Sequence, residues 1–204
     1  MEKPDATIVD FTAGNRSIWT LKDSPHILFL DKEPDLSLPP DLLCDATNTD
    51  LPPDSKFFAV FDPPHEWGKR KNSSLFTTPN RETWNKKWPS HSREAPPVYY
   101  GADKYQTKTE LMRFIYETQR EIARVLIPGG ILFFKWSENS LSTNEVLEYL
   151  PLWDVALRIP VGYAGKTAKQ SYWLLMIQKQ GPWPQTELLD FFKSTNSKSK
   201  RIET

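Results

Sequence analysis

The amino-acid sequence predicts an α/β domain of about seven strands, a mostly parallel sheet closed by an antiparallel C-terminal hairpin, with abbreviated helices in its N-terminal half. Three observations lead there. Four short runs, ATIVDF (6–11), HILFLD (26–31), DLLCDA (41–46) and FFAVFD (57–62), are rich in β-branched and aromatic residues, and each has an aspartate at or near its C-terminal end. A long amphipathic stretch follows at 104–126. Near the C-terminus two more apolar runs are joined by a link too short for a parallel crossover.

Taken in order, the first four runs read as parallel strands with their aspartates at the ligand-facing end. Their connections have to be short on helix, because KEPDLSLPP carries Pro34, Pro39 and Pro40, which remove backbone donors. Residues 66–98 then change character, with lysines, prolines and polar residues and no period; such long connections are usually functional or disordered. In KYQTKTELMRFIYETQREIARVL, Leu111, Phe114, Ile115, Thr118, Ile122, Val125 and Leu126 fall on one helical face, and Pro128-Gly129-Gly130 is expected to stop the helix. ILFFKW (131–136) reads as a buried strand and TNEVLEYL (143–150) as a helix starting at Thr143. VALRIPV (155–161) and YWLLMIQ (172–178) complete the sheet as its antiparallel edge. The division expected is a single domain over 1–179, with 66–98 inserted as a substrate loop or lid, and a partly flexible extension over 180–204.

A chain of 204 residues with 38% hydrophobic and 13% aromatic residues can bury a core without metal or disulfide staples. No window approaches the roughly 18 apolar residues of a membrane span, and the opening MEKPDATIVD has acids where a secretory signal needs a basic start. A soluble, cytoplasmic protein with no membrane partner is the expectation. Cys44 is the one cysteine, and His26 and His91 have no second ligand at metal spacing, so no metal is expected. The formal net charge of zero is a sum of unlike blocks: −7 over 1–65, +4 over 66–98, −2 over 99–154 and +5 over 155–204. Basic blocks of this kind attract phosphate if they meet on one face.

The strand ends carry the chemistry. Asp10 leads into Ala13-Gly14-Asn15-Arg16, a turn with one glycine where a G-x-G-x-x-G turn would seat a pyrophosphate. A nucleoside cofactor without phosphates fits better, and S-adenosyl-L-methionine is the common one. Asp31, at the end of the second run, is placed to accept hydrogen bonds from ribose hydroxyls, and Asp45 with Ala46 at the third is placed to meet an adenine amine. Asp62-Pro63-Pro64-His65 is the sharpest signal: the prolines stiffen the turn, so the Asp62 carboxylate and the Pro63 carbonyl become two fixed acceptors for an NH2 group. His65 can stack on a planar substrate or take up a proton. Candidate substrate contacts are Trp67, Lys69 and Arg70 in the basic segment, Lys135 and Trp136 at the end of the fifth strand, and Lys166 in the hairpin loop.

These motifs resemble a class I S-adenosylmethionine-dependent methyltransferase with its Rossmann-like fold. The tetrad at 62–65 is similar to the (D/N)PP(Y/F/W/H) signature of amino-methyltransferases that modify exocyclic nitrogens of bases. DFTAGNRSIW (10–19), DPPH (62–65), YG (100–101), RVLIPGGILFFKW (124–136) and GKTAKQSYWLLMIQK (165–179) look like segments of one small branch of these enzymes found in bacteria and phages. The resemblance spans roughly residues 7–179. It implies cofactor contacts at Asp10, Ala13, Gly14, Asn15, Arg16, Asp31, Asp45 and Ala46, chemistry at Asp62, Pro63, Pro64 and His65, and DNA or RNA as the partner, its base flipped into the pocket. Two other readings stay open at this point: a small-molecule methyltransferase of the same fold, and a non-catalytic nucleic-acid-binding module.

Overall fold

The computed structural model describes residue 3 and residues 5–68, 104–161 and 170–180. Within them one mixed sheet contains β1 (Ile8–Asp10), β2 (Ile27–Asp31), β3 (Leu42–Leu43), β4 (Lys56–Phe61), β5 (Leu126–Ser137), β6 (Trp153–Val161) and β7 (Ser171–Gln178), in the order β3-β2-β1-β4-β5-β7-β6. Strands β1 to β5 pair in parallel. Strand β7 runs antiparallel to both β5 and β6. The expected architecture, a mostly parallel α/β sheet with an antiparallel C-terminal pair, is the one observed. From β1 the chain steps outward to β2 and β3, then returns to β4 on the other side of β1, so the topological switch lies between β1 and β4.

Two helices accompany the sheet among the described residues: α1 (Lys108–Val125) and α2 (Thr143–Leu147). Neither is long and apolar enough to cross a membrane. Helix α1 covers one sheet face. Its Leu111, Met112, Ile115 and Ile122 are fully buried against Val9, Phe61, Leu132 and Phe134, each such side chain contributing roughly 1.5–3 kcal/mol. The other face is half open: Phe133 and Trp173 stack there with centroids 4.4 Å apart, and Leu157, Ile159 and Ile177 are exposed.

Several element boundaries differ from those expected, each for a local reason. β1 and β3 are shorter than their apolar runs, because Phe11 and Ala13 already belong to the turn after β1, and only Leu42 and Leu43 reach the edge of β2. Helix α1 begins at Lys108 instead of Lys104, because Thr107 caps it by accepting from the Glu110 amide. It ends at Val125, ahead of the glycines: Leu126 is both its C-cap and the first residue of β5. Pro128-Gly129-Gly130 therefore lies inside β5, where it forms an irregularity that moves the pairing from Lys56↔Leu126 to Phe58↔Ile131. Helix α2 starts at Thr143 as expected, with Ser142 before it as the cap in a capping box with Glu145, but it ends at Leu147, short of the expected Leu150.

Candidate functional site

The carboxyl ends of β1, β2 and β4 meet at the switch point. Just past Asp10 the chain turns sharply: Thr12 N donates to Asp10 Oδ1 (3.1 Å), Ala13 N to the Leu30 carbonyl (2.9 Å) and Gly14 N to Asp31 Oδ2 (2.8 Å). Gly14 has φ 49°, a left-handed conformation that glycine adopts freely. The Asp10 carboxylate is buried, with Trp19 Nε1 donating to its Oδ2 at 2.7 Å. Burial pushes its pKa up to about 7 against the lowering effect of the Trp19 and Thr12 hydrogen bonds, with Asp62 and Asp31 adding to the rise. Asp10 thus shapes the loop from beneath.

Asn15 and Arg16, expected at the cofactor, are turned toward the neighbouring loop. Asn15 Oδ1 accepts from Leu38 N (3.3 Å), and Arg16 donates to the carbonyls of Lys22 and Pro39 while its guanidinium lies 4.1 Å from the centre of the Phe29 ring. These two residues tie together the connections that follow β1 and β2. Asp31 faces a narrow groove shared with Thr12, Ala46, Pro64, Tyr105 and Phe114. Its oxygens accept from Gly14 N and Glu33 N, leaving lone pairs for a hydroxyl. Asp45 stands in the adjoining mouth with Lys32, Thr47 and Arg113. Partial burial would raise its pKa, but hydrogen bonds from Thr47 and the nearby Lys32 ammonium hold it below the usual carboxylate range.

The fourth strand end is fastened to the first, since Asp62 N donates to Thr12 Oγ1 at 2.9 Å. Pro63 and Pro64 are buried, and Pro64 forms part of the groove wall. The Asp62 carboxylate has two nitrogen-bearing neighbours: Lys135 Nζ donates to Oδ2 at 2.8 Å, and His65 Nε2 lies 3.2 Å from Oδ1 without the alignment of a hydrogen bond. Burial alone would raise the pKa of Asp62; the His65 contact and the Lys135 ammonium outweigh it and keep the group ionised below the usual range. His65 Nδ1 and Asp62 Oδ1 are both buried with no hydrogen-bond partner among the described residues.

Trp136, expected to meet substrate, is completely buried. It donates from Nε1 to the Leu141 carbonyl and presents its ring to the His65 edge at 5.2 Å, so it supports the tetrad from behind. Trp67 packs half-buried against the main core. Lys69, Arg70 and Lys166 lie outside the described residues, as do most of the expected substrate loop and of the C-terminal extension. Six groove residues were not expected as contacts: Phe11, Thr12, Lys32, Lys104, Tyr105 and Phe114. Phe114 carried one signal, its place at the rim of the apolar stripe of α1, where a side chain can leave the core and face a cleft. Lys104, another groove residue, pairs with Glu33 (Nζ to Oε2, 3.7 Å).

No family model matches this sequence, and neither does any curated protein. Solved structures resemble it in fold. The PH0226 protein from Pyrococcus horikoshii OT3 superposes with a TM-score of 0.50 at 11% identity, over 84% of this chain and 81% of that one. TrmN from Thermus thermophilus gives 0.49 at 14% identity over 86% of this chain, which spans 45% of the TrmN chain. The 1,6-didemethyltoxoflavin-N1-methyltransferase from Burkholderia thailandensis, with 1,6-didemethyltoxoflavin and S-adenosylhomocysteine bound, gives 0.49 at 11% identity over 85% of this chain and 71% of that one. At these identities the likeness is one of fold: the seven-stranded α/β sheet described above.

Proposed function

We propose that this chain is an S-adenosyl-L-methionine-dependent methyltransferase whose acceptor is a nitrogen, the exocyclic amine of a nucleic-acid base. The observation that carries the reading is the joining of two features by one turn: Pro64 belongs to the wall of the groove that contains Asp31, and two residues earlier Asp62 holds an ionised carboxylate at the switch point. Residues of the groove fit a nucleoside. Asp31 retains lone pairs for ribose hydroxyls, Ala46 and Phe114 offer apolar walls, and the Gly14 turn gives close access to backbone. When bound, the cofactor supplies the methyl group and departs as a thioether.

The chain's own residues have three tasks. Asp62 accepts a hydrogen bond from the acceptor NH2 and so directs the nitrogen lone pair outward. Its negative charge favours the positive charge that develops on that nitrogen as the new bond forms, and the amine proton then passes to solvent. His65, stiffened by two prolines and backed by Trp136, offers a flat face to a base.

The test compares modified nucleosides, by mass spectrometry, from cells with the intact protein, with Asp62→Ala, and without the protein. A methylated nucleoside present only with the intact protein is the expected result, its rate of formation in vitro falling on the order of 10²–10³-fold in Asp62→Ala. No difference among the three nucleoside pools would overturn the acceptor assignment.

A further inference from the structure

Of the Asp62 carboxylate oxygens, Oδ2 accepts from Lys135 while Oδ1 has only the 3.2 Å contact with His65 Nε2, and the two neighbours are not alike. His65 is fixed by the preceding prolines and by the ring of Trp136, and its side chain is 12% exposed. Lys135 reaches Oδ2 on a flexible four-carbon stem, is 24% exposed, and passes 5.8 Å from the centre of the Trp173 ring on the open face of the sheet. Its ammonium occupies the position on Asp62 that an acceptor amine would need. The ammonium opposes what the reaction needs there: an amine gains positive charge as it is alkylated, and a second cation within hydrogen-bond range of the same oxygen disfavours that charge. Of the two neighbours, Lys135 is the one free to leave. Among the described residues no other carboxylate stands within ion-pair distance of it.

We infer that Lys135 is a displaceable stand-in for the acceptor amine and thereby selects acceptors that carry an anion: the amine replaces Lys135 on Asp62 Oδ2, and the ammonium pairs with a phosphate arriving on the same molecule. This rests on the base-acceptor reading and deepens it, since it makes Lys135 the residue that distinguishes phosphate-bearing nucleotides from bare nucleosides.

Calorimetry with S-adenosylhomocysteine saturating tests it without turnover. The probes are the adenine, cytosine and guanine nucleosides and their monophosphates, titrated into wild type, Lys135→Met and Lys135→Arg; Lys135→Gln replaces the Met variant if that variant does not fold. Wild type and Lys135→Arg are expected to bind one monophosphate at least about tenfold better than its nucleoside, the worth of one charge-assisted hydrogen bond. In Lys135→Met that ratio is expected to collapse while nucleoside affinity rises severalfold, a change that a purely structural lysine would not produce. A ratio that stays the same in the uncharged variant, equal binding of both probes by wild type, or a loss of nucleoside affinity in that variant would overturn the inference and leave the base-acceptor reading standing. If no probe binds any of the proteins, the inference falls, and the base-acceptor reading is decided by the nucleoside pools.

Discussion

Asp10 and Asp62 end neighbouring strands, yet their environments move their pKa values in opposite directions. Asp62 is held low by Lys135 and His65, so it contributes stability above the unfolded carboxylate range and loses it as pH falls into that range. Asp10 is pushed up to about 7 by burial, so its contribution is complete below about pH 4 and is lost as pH rises through about 7. Asp10→Asn removes that titration while keeping one acceptor for Thr12 N or Trp19 Nε1. In thermal melts from pH 4 to 8, the variant's stability relative to wild type is expected to improve with pH, by at most about 1.4 kcal/mol per pH unit for a single proton. A difference that does not change with pH would show that Asp10 does not titrate in this range. Of these residue-level features, the sequence displayed the acids at the strand ends. It did not display that Asn15 and Arg16 would turn away, because that follows from Leu38, Pro39 and Phe29, partners that chain folding alone brings near.

At the level of elements, the passage from α1 into β5 departs furthest from expectation. Pro-Gly-Gly is ordinarily read as a helix stop followed by a loop, and it takes the pairing of Phe58 with Ile131 to reveal it as an irregularity inside a strand. Gly130 is required there by space: a Cβ would come within 2.8 Å of Leu126 Cβ and 2.9 Å of the Ile127 carbonyl oxygen, both of them rigid neighbours. Gly130→Ala is expected to lower stability by roughly 1–3 kcal/mol in denaturant unfolding, whereas a change within error would mean that this part of β5 yields easily. Helix α1 was legible from its spacing because ten of its residues, Leu111 to Val125, are buried on one side. Its first turn was not, because the apolar face says nothing about which of Lys104 to Lys108 is helical; that is decided by the Thr107 hydroxyl.

For the molecule as a whole, parallel strands joined by abbreviated connections bring the acids of three strand ends to one rim, while α1 seals the sheet on a single face. The acidic block over 1–65 is the part that builds this rim, with Asp10, Asp31, Asp45 and Asp62 at or beside it. Fold class and rim were readable from the sequence because the period of the strands and their terminal aspartates are local features. Groove walls such as Tyr105 and Phe114 were not, since they reach Asp31 only through long-range packing. The rim is proposed to bind a nucleoside cofactor through Asp31. Calorimetry with S-adenosylhomocysteine tests it most directly: wild type is expected to bind, and Asp31→Ala to bind at least about tenfold more weakly, as loss of a hydrogen bond to a charged group requires. Absence of binding to wild type, or equal affinity in the variant, would contradict the account.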